Sequence, residues 1–118
     1  MGNIADTRGM SGSFTTLSYD PIAVTLPPTL VSKTTATLNG SCDFKGLAGT
    51  AKFEYWKVAK VPVIIATATQ SFAASPSTYL VKQAITGLTA ATSYTYRVQC
   101  INASAAVNGL PVTFKTTR

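Results

Sequence analysis

The segment from Gly87 to Ala103 constrains the fold most, because polar and apolar side chains alternate through its second half. The even-numbered residues from Tyr94 to Cys100 are aromatic or apolar, whereas the odd-numbered residues from Ser93 to Gln99 are polar. A period of two is typical of a β-strand that is buried on one face only. The segment therefore predicts a turn followed by a half-buried strand whose apolar face points into a core.

Six more segments have the composition of short strands and are separated by turn residues, which predicts an all-β fold. The seven predicted strands cover residues 22–26, 34–43, 51–59, 61–69, 78–85, 93–102 and 109–117. Pro27 and Pro28 break the first strand, and Pro62 places the fourth at a sheet edge, where a missing N–H is tolerated. Residues 70–77 and 103–108 are predicted loops. A chain of 118 residues, 46% of them apolar, is long enough to bury a core as one domain.

Residues 1–20 differ from the rest of the chain and are predicted to form an extended N-terminal arm. They are rich in Gly, Ser and Thr and show no sustained period. Four isolated apolar residues punctuate the arm: Ile4, Met10, Phe14 and Leu17. The arm either packs on its own domain or lies along a neighbouring subunit. We favour the neighbour, with the four apolar side chains as contact points.

The turn before the sixth strand carries the spacing Leu-x-x-x-Thr-x-Tyr, formed by Leu88, Thr92 and Tyr94. This pattern resembles the tyrosine corner of fibronectin type III domains. The run from Ala36 to Gly40, Ala-Thr-Leu-Asn-Gly, resembles the second strand of bacterial and phage members. Leu38 stands where many animal members carry tryptophan. The resemblance implies that the Tyr94 hydroxyl bonds back to the corner backbone.

The resemblance covers residues 21–118 and implies a seven-stranded fibronectin type III-like, or immunoglobulin-like, β-sandwich preceded by the arm. In such a sandwich the second and sixth strands lie in opposite sheets. Cys42 and Cys100 fall late in these two strands with inward parity. The pair resembles the immunoglobulin inter-sheet bridge, although Cys100 lies further beyond the tyrosine than in that family. Two buried free thiols are the alternative.

Trp56 is expected on an outward strand face, with Lys52 and Glu54, if Phe53 and Tyr55 point inward. An exposed indole near Arg97 can anchor a protein interface or stack on a sugar. The alternative is a local cation–π pair in which Arg97 covers the indole.

Catalysis and cofactor binding are not expected. The chain has no histidine, so it lacks the base of Ser-His-Asp triads and the usual zinc ligand. No glycine-rich phosphate loop is present, and no paired acids of the glycosidase kind are suggested. The only four carboxylates occupy unlike positions, at Asp6, Asp20, Asp43 and Glu54.

The charge pattern points to protein partners. The net charge is +6, but the basic residues are scattered and no aromatic-and-basic RNA motif occurs, so specific nucleic-acid binding is not expected. Only 12% of the residues are charged, which suits close contact with protein. No apolar run is long enough to span a membrane, and no export signal is visible, so membrane association is not expected. The sequons at Asn39 and Asn102 are expected to be chance matches.

Freestanding domains of this type resemble accessory structural proteins of tailed-phage virions. We therefore expect a non-enzymatic virion protein, made in the host cytoplasm, that decorates a phage capsid or tail. Its partners would be capsid or tail subunits, or further copies of itself. The alternative is an extracellular adhesion module that binds carbohydrate or a cell-surface protein through Trp56 and adjacent loops.

Overall fold

A computed structural model describes residues 19–118, and this part of the chain is an all-β sandwich of nine strands. The predicted fold class is thus confirmed as an all-β sandwich. The strands are β1 Ile22–Thr29, β2 Ala36–Asp43, β3 Gly49–Lys57, β4 Ile65–Ala66, β5 Gln70–Phe72, β6 Tyr79–Ile85, β7 Ser93–Asn102, β8 Ala106–Asn108 and β9 Val112–Lys115.

Two antiparallel sheets form the layers of the sandwich. One contains three strands in the order β1-β2-β6. The other contains six strands, with the order β4-β3-β7-β8 and with β5 and β9 paired to β3 and β7. β7 therefore lies at the centre of the larger sheet, as its regular alternation requires.

The predicted strand over residues 61–69 is wrong in its extent, because only Ile65 and Ala66 pair with β3. Pro62 lacks an N–H for a ladder, and the apolar residues around it remain exposed. The predicted loop over 70–77 begins instead with β5, which pairs with Gly49–Ala51. Likewise, the predicted 103–108 loop contains β8.

The predicted break of the first strand at Pro27 and Pro28 is wrong, and so is the predicted start of the last strand at residue 109. β1 continues through Pro27 and Pro28, with a register irregularity between Leu26 and Thr29. An edge strand tolerates this because its outer N–H groups have no ladder partner. The last strand starts only at Val112, directly after a proline.

The core lies between the sheets and is filled by the inward-facing residues of both. Its largest fully buried side chains are Tyr96, Phe44, Phe53, Leu38, Val81, Val98, Cys42 and Cys100. The Phe53 and Tyr96 rings meet edge to face, with centroids 6.0 Å apart. Alternation along β2, β3 and β7 therefore directs one face of each strand into one continuous core.

Polar contacts tie β1 to the larger sheet. The buried Tyr96 hydroxyl donates to the Leu26 carbonyl. The Val98 N–H donates to the Thr25 hydroxyl at 3.2 Å. Gly109 must lack a side chain here, because a Cβ would lie 2.5 Å from the Thr25 hydroxyl oxygen. Burial of the Tyr96 ring raises its pKa to about 12.

Candidate functional site

A groove with largely apolar walls lies at the end of the sandwich where β3 finishes. We call it the aliphatic groove; its volume is about 370 Å³. It is lined by Tyr55, Lys57, Ala59, Val61, Pro62, Val63, Ile65, Gly87, Leu88, Thr89 and Tyr94. β4 and β6 are edge strands of different sheets and do not pair, which leaves the flank of the sandwich open here.

The walls of the aliphatic groove are unusually exposed. Val61 is 84% exposed and Val63 is 75% exposed, with Ile65 about half exposed. Single exposed apolar residues are common on proteins, but a contiguous cluster of them marks an interaction surface. The groove is thus the described region best suited to bind an apolar partner.

Polar atoms lie at the rim of the groove. The Thr89 N–H donates to the Tyr94 hydroxyl at 2.8 Å, and the Lys57 ammonium donates to the Thr89 hydroxyl at 3.4 Å. Burial, together with the neighbouring Tyr94, raises the pKa of Tyr55. Burial alone would raise the pKa of Tyr94, but its hydrogen bond from Thr89 and the charge of Lys57 outweigh burial and lower it. The groove therefore combines apolar walls with hydroxyl groups that are already hydrogen-bonded or partly desolvated.

Two of the residues that resemble a tyrosine corner, Leu88 and Tyr94, line this groove. Leu88 is buried, and its N–H donates to the Thr34 carbonyl at 2.9 Å. The Thr92 hydroxyl donates to the Ala90 carbonyl at 2.9 Å. Together with the bond from Thr89 to Tyr94, these contacts fix the turn that leads into β7.

Trp56 lies on the outer face of the six-stranded sheet, half-buried, beside Arg97. The Arg97 guanidinium carbon is 5.5 Å from the indole centroid. Glu54 holds this guanidinium, since its carboxylate accepts hydrogen bonds from Nε and Nη2 of Arg97 at 2.9 and 2.8 Å. Glu54 stands directly opposite Arg97 across the β3–β7 ladder. Arg97 therefore occupies one face of the indole, as the cation–π alternative describes.

Cys42 and Cys100 are bonded to each other in the structure, with their Cα atoms 5.8 Å apart. Both are fully buried and come from opposite sheets. Of the two alternatives open from the sequence, the structure has the bridge. It joins β2 to β7 near the end of the sandwich that receives the chain from Tyr19.

Asn102 fixes the position at which the chain joins the sandwich. Its side-chain amide donates to the Tyr19 carbonyl at 2.7 Å and to the Phe44 carbonyl at 3.1 Å. Its side-chain oxygen accepts from the N–H groups of Ser104 and Ala105, which closes the turn after β7. The sequence presents Asn102 only as part of a sequon, and nothing in that motif signals this role.

The four apolar arm residues, Ile4, Met10, Phe14 and Leu17, lie outside the described residues. Within residues 19–118, no three potential metal-ligating side chains cluster together. No helix in that part of the chain is long and apolar enough to cross a membrane.

Comparison with known proteins shows that this chain is similar in fold to several solved structures. No protein-family model and no curated protein matches the sequence. Similar solved structures are those of the sensor domain of the anti-sigma factor RsgI4 from Pseudobacteroides cellulosolvens. Its short form has a TM-score of 0.67 at 18% identity and covers 86% of this chain and 98% of that chain. Its long form has a TM-score of 0.65 at 17% identity, covering 83% and 90% respectively.

The solution structure of the same sensor domain has a TM-score of 0.63 at 19% identity, and covers 81% of this chain and 74% of that chain. At such low identity the likeness extends to the fold alone. The resemblance to fibronectin type III domains stays a prediction.

Proposed function

We propose that this chain is a non-enzymatic structural protein that works by binding other protein subunits. More specifically, it is a component of a virus particle, either a decoration protein of a phage capsid or an accessory protein of a phage tail. Residues 1–20 contact neighbouring subunits. The protein is made in the host cytoplasm and resides in the virion.

The observation that carries this proposal is the aliphatic groove. Exposed side chains such as Val61 and Val63 contribute nothing to the core of their own domain. Removing apolar surface from water contributes roughly 25 cal/mol per Å², so such a cluster is stabilised when a protein partner covers it. Charge is sparse along the chain, which further lowers the desolvation cost of a protein contact.

The virion form of the proposal rests on the resemblance to phage accessory domains. The bridge between Cys42 and Cys100 supports a role outside a reducing cytoplasm, because disulfides persist on particle surfaces and in secreted proteins. An extracellular adhesion module would also keep its disulfide, so the bridge alone does not distinguish the two proposals. That alternative uses Trp56 and adjacent loops, and the Arg97 guanidinium covers one face of the Trp56 indole, which leaves less of the ring for a ligand. A virion protein is therefore the better-supported proposal.

Co-sedimentation with phage particles tests the proposal. Capsids and tails that lack this protein are mixed with the full chain, with the chain lacking residues 1–18, and with a Trp56→Ala variant. We expect the full chain and the Trp56 variant to sediment with one type of particle, and the shortened chain to remain in solution. The proposal fails if no form binds particles while the full chain binds a glycan array in a Trp56-dependent manner.

A further inference from the structure

We propose that the aliphatic groove receives residues 1–18 of a second copy of this chain, so that copies join head to tail. This inference rests on the proposed function, because it identifies the surface and the partner of the N-terminal arm. Three observations support it: the position at which the described chain begins, the direction of β1, and the chemical match between residues 1–18 and the groove.

The described chain begins at the end of the sandwich opposite the groove. Tyr19 is held by Asn102, the last residue of β7, whereas Tyr94, near the start of β7, lines the groove. Eight residue steps of strand separate Tyr94 from Asn102, which is about 27 Å at ~3.4 Å per residue. The two ends of the domain are therefore distinct surfaces.

The direction of β1 favours a second copy over the chain's own groove. β1 starts with Ile22 opposite Asp43, at the Tyr19 end, and runs to Thr29 opposite Thr37, towards the groove end. β1 therefore begins at the end of the domain that is distal to its own groove. A second copy stacked on this end of the domain, groove end first, presents its groove next to Tyr19, whereas the chain's own groove lies at the opposite end.

The length of the segment is sufficient. Residues 1–18 span up to about 60 Å when extended, at ~3.3–3.6 Å per residue. That is about twice the separation between the two ends of the domain. A head-to-tail contact of this kind is heterologous and builds rings or filaments rather than closed two-fold dimers.

The chemistry of the segment matches the groove. Residues 9–18, Gly-Met-Ser-Gly-Ser-Phe-Thr-Thr-Leu-Ser, carry no charged side chain. Met10 and Phe14 have the same parity, so an extended backbone presents both on one face. β4 is an edge strand beside the groove, and an extended segment can add its backbone to such an edge. We assign Phe14 as the anchor against the walls formed by Val61 and Val63.

Light scattering on full-length variants tests the inference. Phe14→Asp disables the segment, and Val63→Asp disables the groove. Leu110→Asp is the matched control, since Leu110 is 83% exposed and does not line the groove. We expect the unaltered chain and the control to exceed the monomer mass as concentration rises. Each of the other two variants should associate about 10- to 100-fold more weakly, the change expected from losing one buried large apolar side chain.

Mixing the two disabled variants separates a second copy from the chain's own groove. The Phe14→Asp chain keeps a working groove, and the Val63→Asp chain keeps a working segment. An equal mixture should form dimers of one copy each and nothing larger. Thermal unfolding verifies that each variant is folded, and Val61→Asp replaces Val63→Asp if the latter is not.

Three outcomes overturn the inference. If the Val63→Asp and Val61→Asp chains associate like the unaltered chain, the groove is not the receptor. If the mixture stays monomeric while the unaltered chain associates, the contact is not between segment and groove. If the unaltered chain is monomeric at every concentration, the second copy is wrong. In that last case, loss of particle binding on deleting residues 1–18 would still support the proposed function.

Discussion

Loss of the bridge between Cys42 and Cys100 should cost a large part of the stability of the domain. The bridge closes a loop with a sequence separation of 58 residues. Chain-entropy reasoning for a loop of this size gives about 4 kcal/mol of stabilisation, through restriction of the unfolded state. Small domains have a free energy of unfolding of about 5–15 kcal/mol, so this is a substantial fraction. At about 4–8 °C per kcal/mol, we expect the Tm to fall by about 15–30 °C.

The assay is guanidinium denaturation followed by the fluorescence of Trp56, with and without a reductant that opens the bridge. Reduction keeps both sulfur atoms in the core, so the difference isolates the covalent link from packing. A Cys42→Ala, Cys100→Ala double variant serves as the control and should not respond to the reductant. If complete reduction changes the free energy of unfolding by less than about 1 kcal/mol, the loop-entropy reasoning is wrong for this domain.

Three further perturbations have expected results. The pKa of Tyr96 is raised to about 12, above the usual value of about 10, so the unfolded state loses this proton first. The contribution of Tyr96 to the free energy of unfolding should therefore be intact below about pH 10 and fall by roughly 3 kcal/mol towards about pH 12. Urea denaturation of the Tyr96→Phe variant should lack this decline. Gly109→Ala should lower the free energy of unfolding by about 1–3 kcal/mol through its clash with Thr25, while Leu110→Ala stays neutral. Asn102→Ala should cost about 1–3 kcal/mol in the same assay, because the buried Phe44 carbonyl and the partly buried Tyr19 carbonyl lose their donor. Intact mass after secretion from a glycosylating host should show no glycan at Asn102.

The central strand of the fold follows directly from the sequence. Alternation from Ser93 to Cys100 predicts β7, because a strand that is buried on one face of a sheet must obey a period of two. Pairing at the sheet edge does not follow in the same way. The β-branched run from Val61 to Ile65 has strand composition, yet its pairing depends on neighbours and on the missing donor of Pro62.

The surface sites depend on register, which the sequence does not define. Parity predicts that Trp56 faces outward, but its cover by Arg97 requires Glu54 and Arg97 to stand opposite each other. The aliphatic groove arises from residues far apart in the chain, such as Tyr55, Val63 and Leu88. None of these residues has a sequence context that indicates a binding surface. The groove is therefore identified only from the three-dimensional structure.

The mass of the full chain in solution, compared with that of the chain lacking residues 1–18, tests the central claim most directly. The claim is that the N-terminal segment of one copy contacts a second copy of the chain. The monomer mass of the full chain is 12.4 kDa. We predict that the full chain exceeds this mass with rising concentration, whereas the shortened chain stays folded and monomeric. Two stable monomers, identical in behaviour at every concentration, would contradict the claim.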